Sequence, residues 1–386
     1  YEEALIGFKQ FEQQAVSKST SEFKNLDYNL GYTYFKLKNY EPAIRYFNQF
    51  IAGKKDDQVR LNDAYLRLGD AYFVSSDYSK AISAYNNANK LNEIDSDYAF
   101  FQKAISAGYI GQEAKKISEL EQFISEYKSS KLRDDAMYEL GNSYVKVNQT
   151  DKALKMYDRL NNEYSMSSFV SKSLLRQGLV YYNSSQNEQA LTKFKKVAVD
   201  FPNTPEAAQA VSTARLIYID LGRVNEYATW VKTLGYIEVS NADLDNATYE
   251  AAEKQYLDSN TEKAITQFNN YINQFSNGLH ALQAHFYLAQ LYYKKDLGSN
   301  AASHYKYVVE ASQNEFTEEA LLRLSQFYLE GKNYQESMPL LLRLEKEANF
   351  PQNVVFAQSN LMKANYQLEK YKEAVTYAEK VLSNAK

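Results

Sequence analysis

The chain has 386 residues, 45% of them apolar, which is enough to bury a large core but too long for one compact core, so an array or several domains is expected. A formal charge of −4 with 24% charged residues leaves no basic footprint for a nucleic-acid backbone or an anionic membrane surface. The absence of cysteine excludes disulfides, thiolate metal sites and cysteine nucleophiles, and no apolar run reaches the roughly 18 residues of a membrane span.

The first predicted element is a helix within residues 1–20, where Ala4 and Phe8 stand at a spacing that recurs in the second helix of later pairs. The first full unit follows as Leu30-Gly31-x-x-Tyr34 and then Ala43-x-x-x-Phe47. It returns as Leu68-Gly69-x-x-Tyr72 with Ala81 and Tyr85, as Leu140-Gly141-x-x-Tyr144 with Ala153 and Tyr157, and as Gln177-Gly178-x-x-Tyr181 with Ala190 and Phe194. Degenerate copies fall at Tyr218 with Tyr227, Gln255 with Ala264 and Phe268, Tyr292 with Ala301 and Tyr305, and Tyr328 with Ser337 and Leu341. Tyr144 to Tyr181 and Tyr181 to Tyr218 are each 37 residues apart, so the period is near 37 and the 35 tyrosines mark a repeated structural position.

Between units, Pro202 cannot continue the helix that closes near Asp200, and Thr204 is placed to cap a helix opening at Pro205. Residues 235–246 keep the period but contain "YIEV", poor helix sequence, and are read as a long turn with a hinge as the alternative. The chain is therefore divided into a truncated first repeat at 1–20, an array over 21–235 and a second array over 236–386 continuous with the first. The last unit, "YKEAVTYAEKVLSNAK", carries Ala374 at the second-helix position with no capping helix after it. Both ends are expected to be cut from a longer array, and end-to-end self-association is expected.

The Leu-Gly-x-x-Tyr and Ala-x-x-x-Phe pattern resembles the tetratricopeptide repeat. The resemblance implies an all-α, right-handed superhelical solenoid of antiparallel helix pairs, helix A and helix B in each unit. Gly31 and Gly69 then let helix B approach closely, and Ala43 and Ala153 are the small residues where the two helices cross. The linking phrase "FKKVAVDFPNTPEAAQA" is similar to that of envelope-type repeats, in outer-membrane assembly lipoproteins and the cell-division coordinator working with the Tol-Pal system. The joint from Trp230 to Leu257 is similar to those of large multi-repeat proteins of Bacteroidota-type bacteria. The period departs from the family's 34 residues, and no N-terminal lipid-bearing cysteine supports an anchor. The resemblance implies a non-catalytic protein–protein interaction scaffold in the periplasm; a cytoplasmic assembly or regulatory adaptor is the alternative.

No phosphate loop, nucleophile elbow, zinc-protease signature or cysteine–histidine cluster is present. His280 and His285 stand five apart, the wrong spacing for paired ligands on one helix face, so these and His304 are read as partly buried structural residues. Asp134 with Asp135 and Glu318 with Glu319 complement helix N-termini. No catalytic residue, metal or cofactor is expected. Within helix A, repeat positions 4, 7, 8 and 11 form the packing stripe, while positions 2, 5, 6 and 9 lie about 200° away, on the stripe that lines the concave groove in the family. That stripe supplies the candidate partner-binding residues Tyr28, Asn29, Tyr32, Arg67, Asp70, Tyr138, Glu139, Asn142, Lys172, Arg176, Tyr287 and Gln290. Position 5, held by Tyr28, Leu66, Phe101, Tyr138, Leu175 and Phe286, is expected to be partly buried, and positions 6 and 9 are the better contacts. Lys172 and Arg176 match the last pair of the family's chaperone carboxylate clamp, but Phe101, Ile105 and Glu139 stand where it needs Lys and Asn, so that clamp is excluded. The expected partners are proteins or peptide segments of the envelope. A glycan- or peptidoglycan-binding module is the alternative, because Tyr with Asn and Asp also suits sugars. Groove residues such as Tyr32, Arg67, Asn142, Arg176 and Tyr287 are expected to be separable from folding.

Overall fold

The computed structural model describes residues 1–14, 18, 20, 22–53 and 57–384, and every regular element among them is helical. The chain divides into two compact units, Tyr1–Ala210 and Val211–Lys386. The first opens with α1 (Glu2–Gln13) and continues as five pairs: α2 (Leu26–Lys36) with α3 (Tyr40–Ala52), α4 (Gln58–Val74) with α5 (Tyr78–Leu91), α6 (Ser96–Tyr109) with α7 (Glu113–Glu126), α8 (Arg133–Lys146) with α9 (Thr150–Glu163), and α10 (Phe169–Asn183) with α11 (Asn187–Asp200). Residues 15–17 and 19 of the helix expected within 1–20 lie outside the described residues.

The helix α12 (Pro205–Asp220) begins in the first unit and ends in the second, where it is followed by α13 (Val224–Lys232). The second unit then pairs α14 (Asn241–Leu257) with α15 (Thr261–Gln274), α16 (Ala281–Lys294) with α17 (Gly298–Glu310), α18 (Thr317–Glu330) with α19 (Tyr334–Glu347), and α20 (Pro351–Gln367) with α21 (Tyr371–Asn384). Successive helices pack on one another from α1 to α11 and from α13 to α21, so each unit is built as a stack of antiparallel pairs. Thr204 caps α12 as expected, its Oγ1 accepting from the Ala207 amide at 3.1 Å. The long turn is shorter than expected. Residues 233–240 are non-helical, but Asn241–Asn246 belongs to α14. The reason is a capping box: Ser240 Oγ accepts from the Asp243 amide while the Asp243 carboxylate accepts from the Ser240 amide.

Every turn from helix A to helix B has the same construction. One residue takes a left-handed backbone, at Lys38, Ser76, Gly111, Asn148, Ser185, Gly222, Ser259, Asp296, Lys332 and Glu369. The next amide donates to the carbonyl five residues back, as Gln149 N to Tyr144 O at 2.8 Å and Leu297 N to Tyr292 O at 2.9 Å. This satisfies carbonyls that the helix end leaves open, and the repeated tyrosine supplies the acceptor in seven of the ten turns.

The core is a column of small residues on helix A set against large rings on helix B. A Cβ added to Gly141 would lie 2.4 Å from Tyr157 Cε1, and one added to Gly69 would lie 2.5 Å from Tyr85 Cε1. Both rings are buried, as are Ala43 and Ala153 at the crossings. In the second unit alanine takes the glycine position in α14 and α16, where Ala252 clusters with Phe268 and Ala289 with Tyr305, while Ser325 in α18 faces the helix carrying Leu341. Gly141→Ala should therefore lower stability by about 1–3 kcal/mol, because a buried ring has to move. Gly7→Ala, with nothing within 4 Å of the new methyl, should be neutral or stabilising. Urea unfolding of the two variants checks this, and equal effects would contradict it.

Candidate binding face

The stripe at positions 2, 5, 6 and 9 forms one surface in each unit, because its side chains bridge one helix A to the next. The Tyr28 hydroxyl on α2 donates to Asp63 Oδ2 on α4 at 2.6 Å. Arg67, one turn on from Asp63, pairs with Asp63 Oδ1 at 3.1 Å and with Asp70 Oδ2 at 2.9 Å. Asp70 Oδ1 then accepts from Tyr85 at 2.9 Å and from Tyr98, on α6, at 2.7 Å. Burial pushes the Asp70 carboxyl up despite these donors, whereas the Arg67 guanidinium, which burial alone would lower, is held above its ordinary value by Asp63 and Asp70. Tyr32 stacks on Tyr28 with centroids 6.1 Å apart, and Lys36 lies over its ring at 5.2 Å. Asn29 stands beside them half-buried, its carbonyl accepting from Thr33.

A second group gathers on α8 and α10. Glu139 pairs with Lys116 from α7 at 2.6 Å, and Asn142 Oδ1 accepts from the buried Tyr157 hydroxyl at 2.7 Å. The Arg176 guanidinium is raised chiefly by hydrogen bonding with Tyr138, which also packs on Phe169 with centroids 5.1 Å apart. Lys172 is exposed and lies over the Phe169 ring at 5.2 Å. Asp135 faces the same group. Its carboxyl is pushed up to about 6 by burial and then by Glu139 and Asp134, against the pull of Lys172 and Lys116. In the second unit Tyr287 stacks on Tyr256 at 4.6 Å, and Gln290 Oε1 accepts from the Tyr256 hydroxyl at 2.8 Å.

These placements correct the expectation that the whole stripe is separable from folding. Arg67 neutralises a buried carboxylate, Asn142 satisfies a buried tyrosine, and Tyr287 packs against Tyr256, Phe268 and Phe316. Asp70 is itself buried, as are Leu66, Phe101, Leu175 and Phe286 at position 5, so these side chains belong to the packing. Lys172 and Arg176 are exposed, and Tyr32 is half-buried. Lys116 and Tyr256 lie outside the stripe, so a reading of helix A positions 2, 5, 6 and 9 omits them; Lys116 is found only by following the first turn of helix B.

The histidines are structural but not isolated. His280 stacks on Tyr249 at 4.2 Å, and its Nε2 meets Asn246 Oδ1 at 2.8 Å. His285 on α16 and His304 on α17 face each other with Nδ1 atoms 2.9 Å apart, and Tyr307 stacks on His285 at 3.7 Å. Among the described residues no group of three or more His, Cys, Asp or Glu is placed to hold a metal ion, and no helix is long and apolar enough to cross a membrane.

Comparison with known proteins adds the family. The model described as "Tetratricopeptide repeat" matches residues 28–52 and 63–95, and a second model of the same description matches 135–165 and 172–204. These stretches are the pairs built on the glycine-to-ring contact. The chain carries tetratricopeptide repeats. No curated protein matches it. Among solved structures, a tetratricopeptide repeat protein from Parabacteroides merdae is 16% identical with a TM-score of 0.34, over 70% of this chain and 98% of that one. The C-terminal part of a TPR repeat-containing protein from Cytophaga hutchinsonii is 15% identical with a TM-score of 0.40, over 66% and 99%. YrrB, described as a TPR protein with an unusual peptide-binding site, is 16% identical with a TM-score of 0.40, over 51% and 97%. As a repeat solenoid of this family, the chain is an interaction scaffold with protein or peptide partners.

The histidine pair gives this repeat protein a pH dependence. Burial, and then the neighbouring His304, lower the His285 pKa to about 4, and burial lowers His304 as well. Both are therefore neutral in the folded unit, while an unfolded chain titrates near 6.5. The contribution is fully present above about pH 6.5 and is lost as the pH falls from 6.5 towards 4, where the unfolded chain binds the extra proton. Met137 and Met156 hold the equivalent positions 148 residues earlier. Replacing both histidines by methionine should flatten the urea midpoint over this window. An unchanged pH slope would contradict the assignment.

Proposed function

We propose that this scaffold works in the bacterial cell envelope, where it holds an extended or helical segment of a partner protein on the helix A face of each unit. The observation that carries the reading is the exposed Lys172 and Arg176 with the half-buried Asp135 and Tyr32, on a surface whose other members are tied into the packing. A half-buried carboxylate, an arginine and a half-buried ring suit recognition of a segment by charged and aromatic anchors. The envelope assignment rests on the cysteine-free composition and on the inter-repeat phrase around Pro202 and Pro205. Peptidoglycan and soluble glycans are the competing ligands to be tested on the same face.

Lys172→Ala and Arg176→Ala should each change melting by no more than about 0.5 kcal/mol, since both side chains are exposed. Each should weaken capture of an envelope protein by about 1–3 kcal/mol. The measurement is quantitative pull-down from an envelope extract, run beside a glycan array. Glycan binding without protein capture, or capture untouched by both variants, would contradict the proposal.

A further inference from the structure

The two units contain equivalent grooves, and only in the first do the lining residues form ion pairs with one another. In the first unit it lies between α6, α7 and α8, a cavity of about 310 Å³ lined by Ile105, Gly108, Tyr109, Glu113, Lys116, Glu139, Asn142, Ser143 and Lys146. In the second it lies between α14, α15 and α16, about 430 Å³, lined by Tyr256, Leu257, Ser259, Thr261, Gln290, Leu291 and Lys294. Helix boundaries coincide at an offset of 148 residues, which is four repeat periods: Tyr109 with Leu257, Glu113 with Thr261, and Lys146 with Lys294 each end or begin the corresponding helix.

At the mouth of the first groove the chain supplies its own carboxylate. Lys146 Nζ pairs with Glu113 Oε2 at 2.6 Å, and deeper in the groove Lys116 pairs with Glu139 at 2.6 Å. In the second unit three of these four charges are gone, because Thr261, Ala264 and Tyr287 replace Glu113, Lys116 and Glu139. Lys294 remains, exposed, and among the described residues it makes no ion pair. The adjacent charges do not serve it, since Glu262 pairs with Lys295 and Lys254 with Asp220. Thr261, Ser259, Gln290, Tyr256, Leu257 and Leu291 line the groove with it.

We propose that the groove between α14, α15 and α16 receives a glutamate or aspartate side chain of a partner peptide, its carboxylate against Lys294 in the place Glu113 takes against Lys146. The leucines and the Tyr256 ring hold the flanking aliphatic part of the segment, and the two hydroxyls and the amide offer donors to the second carboxylate oxygen or to peptide carbonyls. This deepens the peptide-binding reading above and rests on it. Because the lysine is exposed, the contact supplies selectivity more than affinity, and salt should weaken it.

The test uses a fluorescein-labelled ten-residue peptide of alternating glutamate and leucine, its glutamine counterpart, and fluorescence anisotropy on the whole chain. The glutamate peptide should bind about threefold or more tighter than the glutamine peptide. Lys294→Gln should abolish that preference. So should Thr261→Glu, which rebuilds the first unit's internal pair at a helix N-terminus that favours an acidic residue. Lys146→Gln should leave the preference intact. Far-UV circular dichroism checks that each variant is folded. Preference retained in both Lys294→Gln and Thr261→Glu overturns the proposal, and if Arg176→Ala still weakens both peptides the scaffold reading survives that failure. Absence of binding by either peptide overturns the proposal and counts against the scaffold reading as well.

Discussion

A glycine on helix A lies against an aromatic ring sixteen residues later on helix B, and this contact sets the spacing of the helix pair wherever it occurs. Gly31 meets Phe47, Gly69 meets Tyr85, Gly141 meets Tyr157 and Gly178 meets Phe194, each so close that a methyl group would approach the ring to 2.9 Å or less. The missing side chain lets the helices approach, and the ring fills the space beside it. In α14 and α16 of the second unit alanine takes the small position, and the rings at Phe268 and Tyr305 remain buried. Packing in a repeat array is carried by contacts within a pair and between neighbours, so this local fit is repeated rather than shared.

Once the pair is fixed, the opposite stripe of helix A has its direction set, but not its freedom. Tyr28, Asp63, Arg67, Asp70 and Tyr98 form one hydrogen-bonded chain across three successive first helices, and its centre is a buried carboxylate. Such a chain is stable only when every member is satisfied, which ties these side chains to the fold. The residues left for a partner are those the chain does not use. In the first unit the proposed ones are Lys172, Arg176 and the half-buried Tyr32 and Asp135; in the second, Lys294 lines a groove whose counterpart carries internal ion pairs.

Much of this was legible in the sequence, because the repeat imposes a strict register on residues with opposite requirements. The Gly31, Gly69, Gly141 and Gly178 positions and their aromatic partners were readable from the 37-residue period, as was the cap at Thr204 before Pro205. The turns between helices A and B were not marked, because eight of the ten left-handed positions carry a non-glycine residue such as Lys38, Ser76 or Glu369. There the paired helices and the amide-to-carbonyl bond impose the backbone, overriding a local preference. The start of α14 was obscured by "YIEV" upstream, although Ser240 and Asp243 carry the capping signature. The binding face was legible as a stripe but not residue by residue. Periodicity tells which way Arg67 or Asn142 points, but not that Asp70 and Tyr157 already occupy them.

The account stands or falls on whether the small-residue-to-ring contact holds each pair locally. Hydrogen–deuterium exchange on Gly178→Ala, whose new methyl would lie 2.4 Å from Phe194 Cε1, tests this most directly. Deprotection should be concentrated in α10 and α11 and extend to the neighbouring α8 and α9, leaving α2 to α5 exchanging as in the parent chain. Uniform deprotection from α2 through α11, or none in α10 and α11, would contradict it.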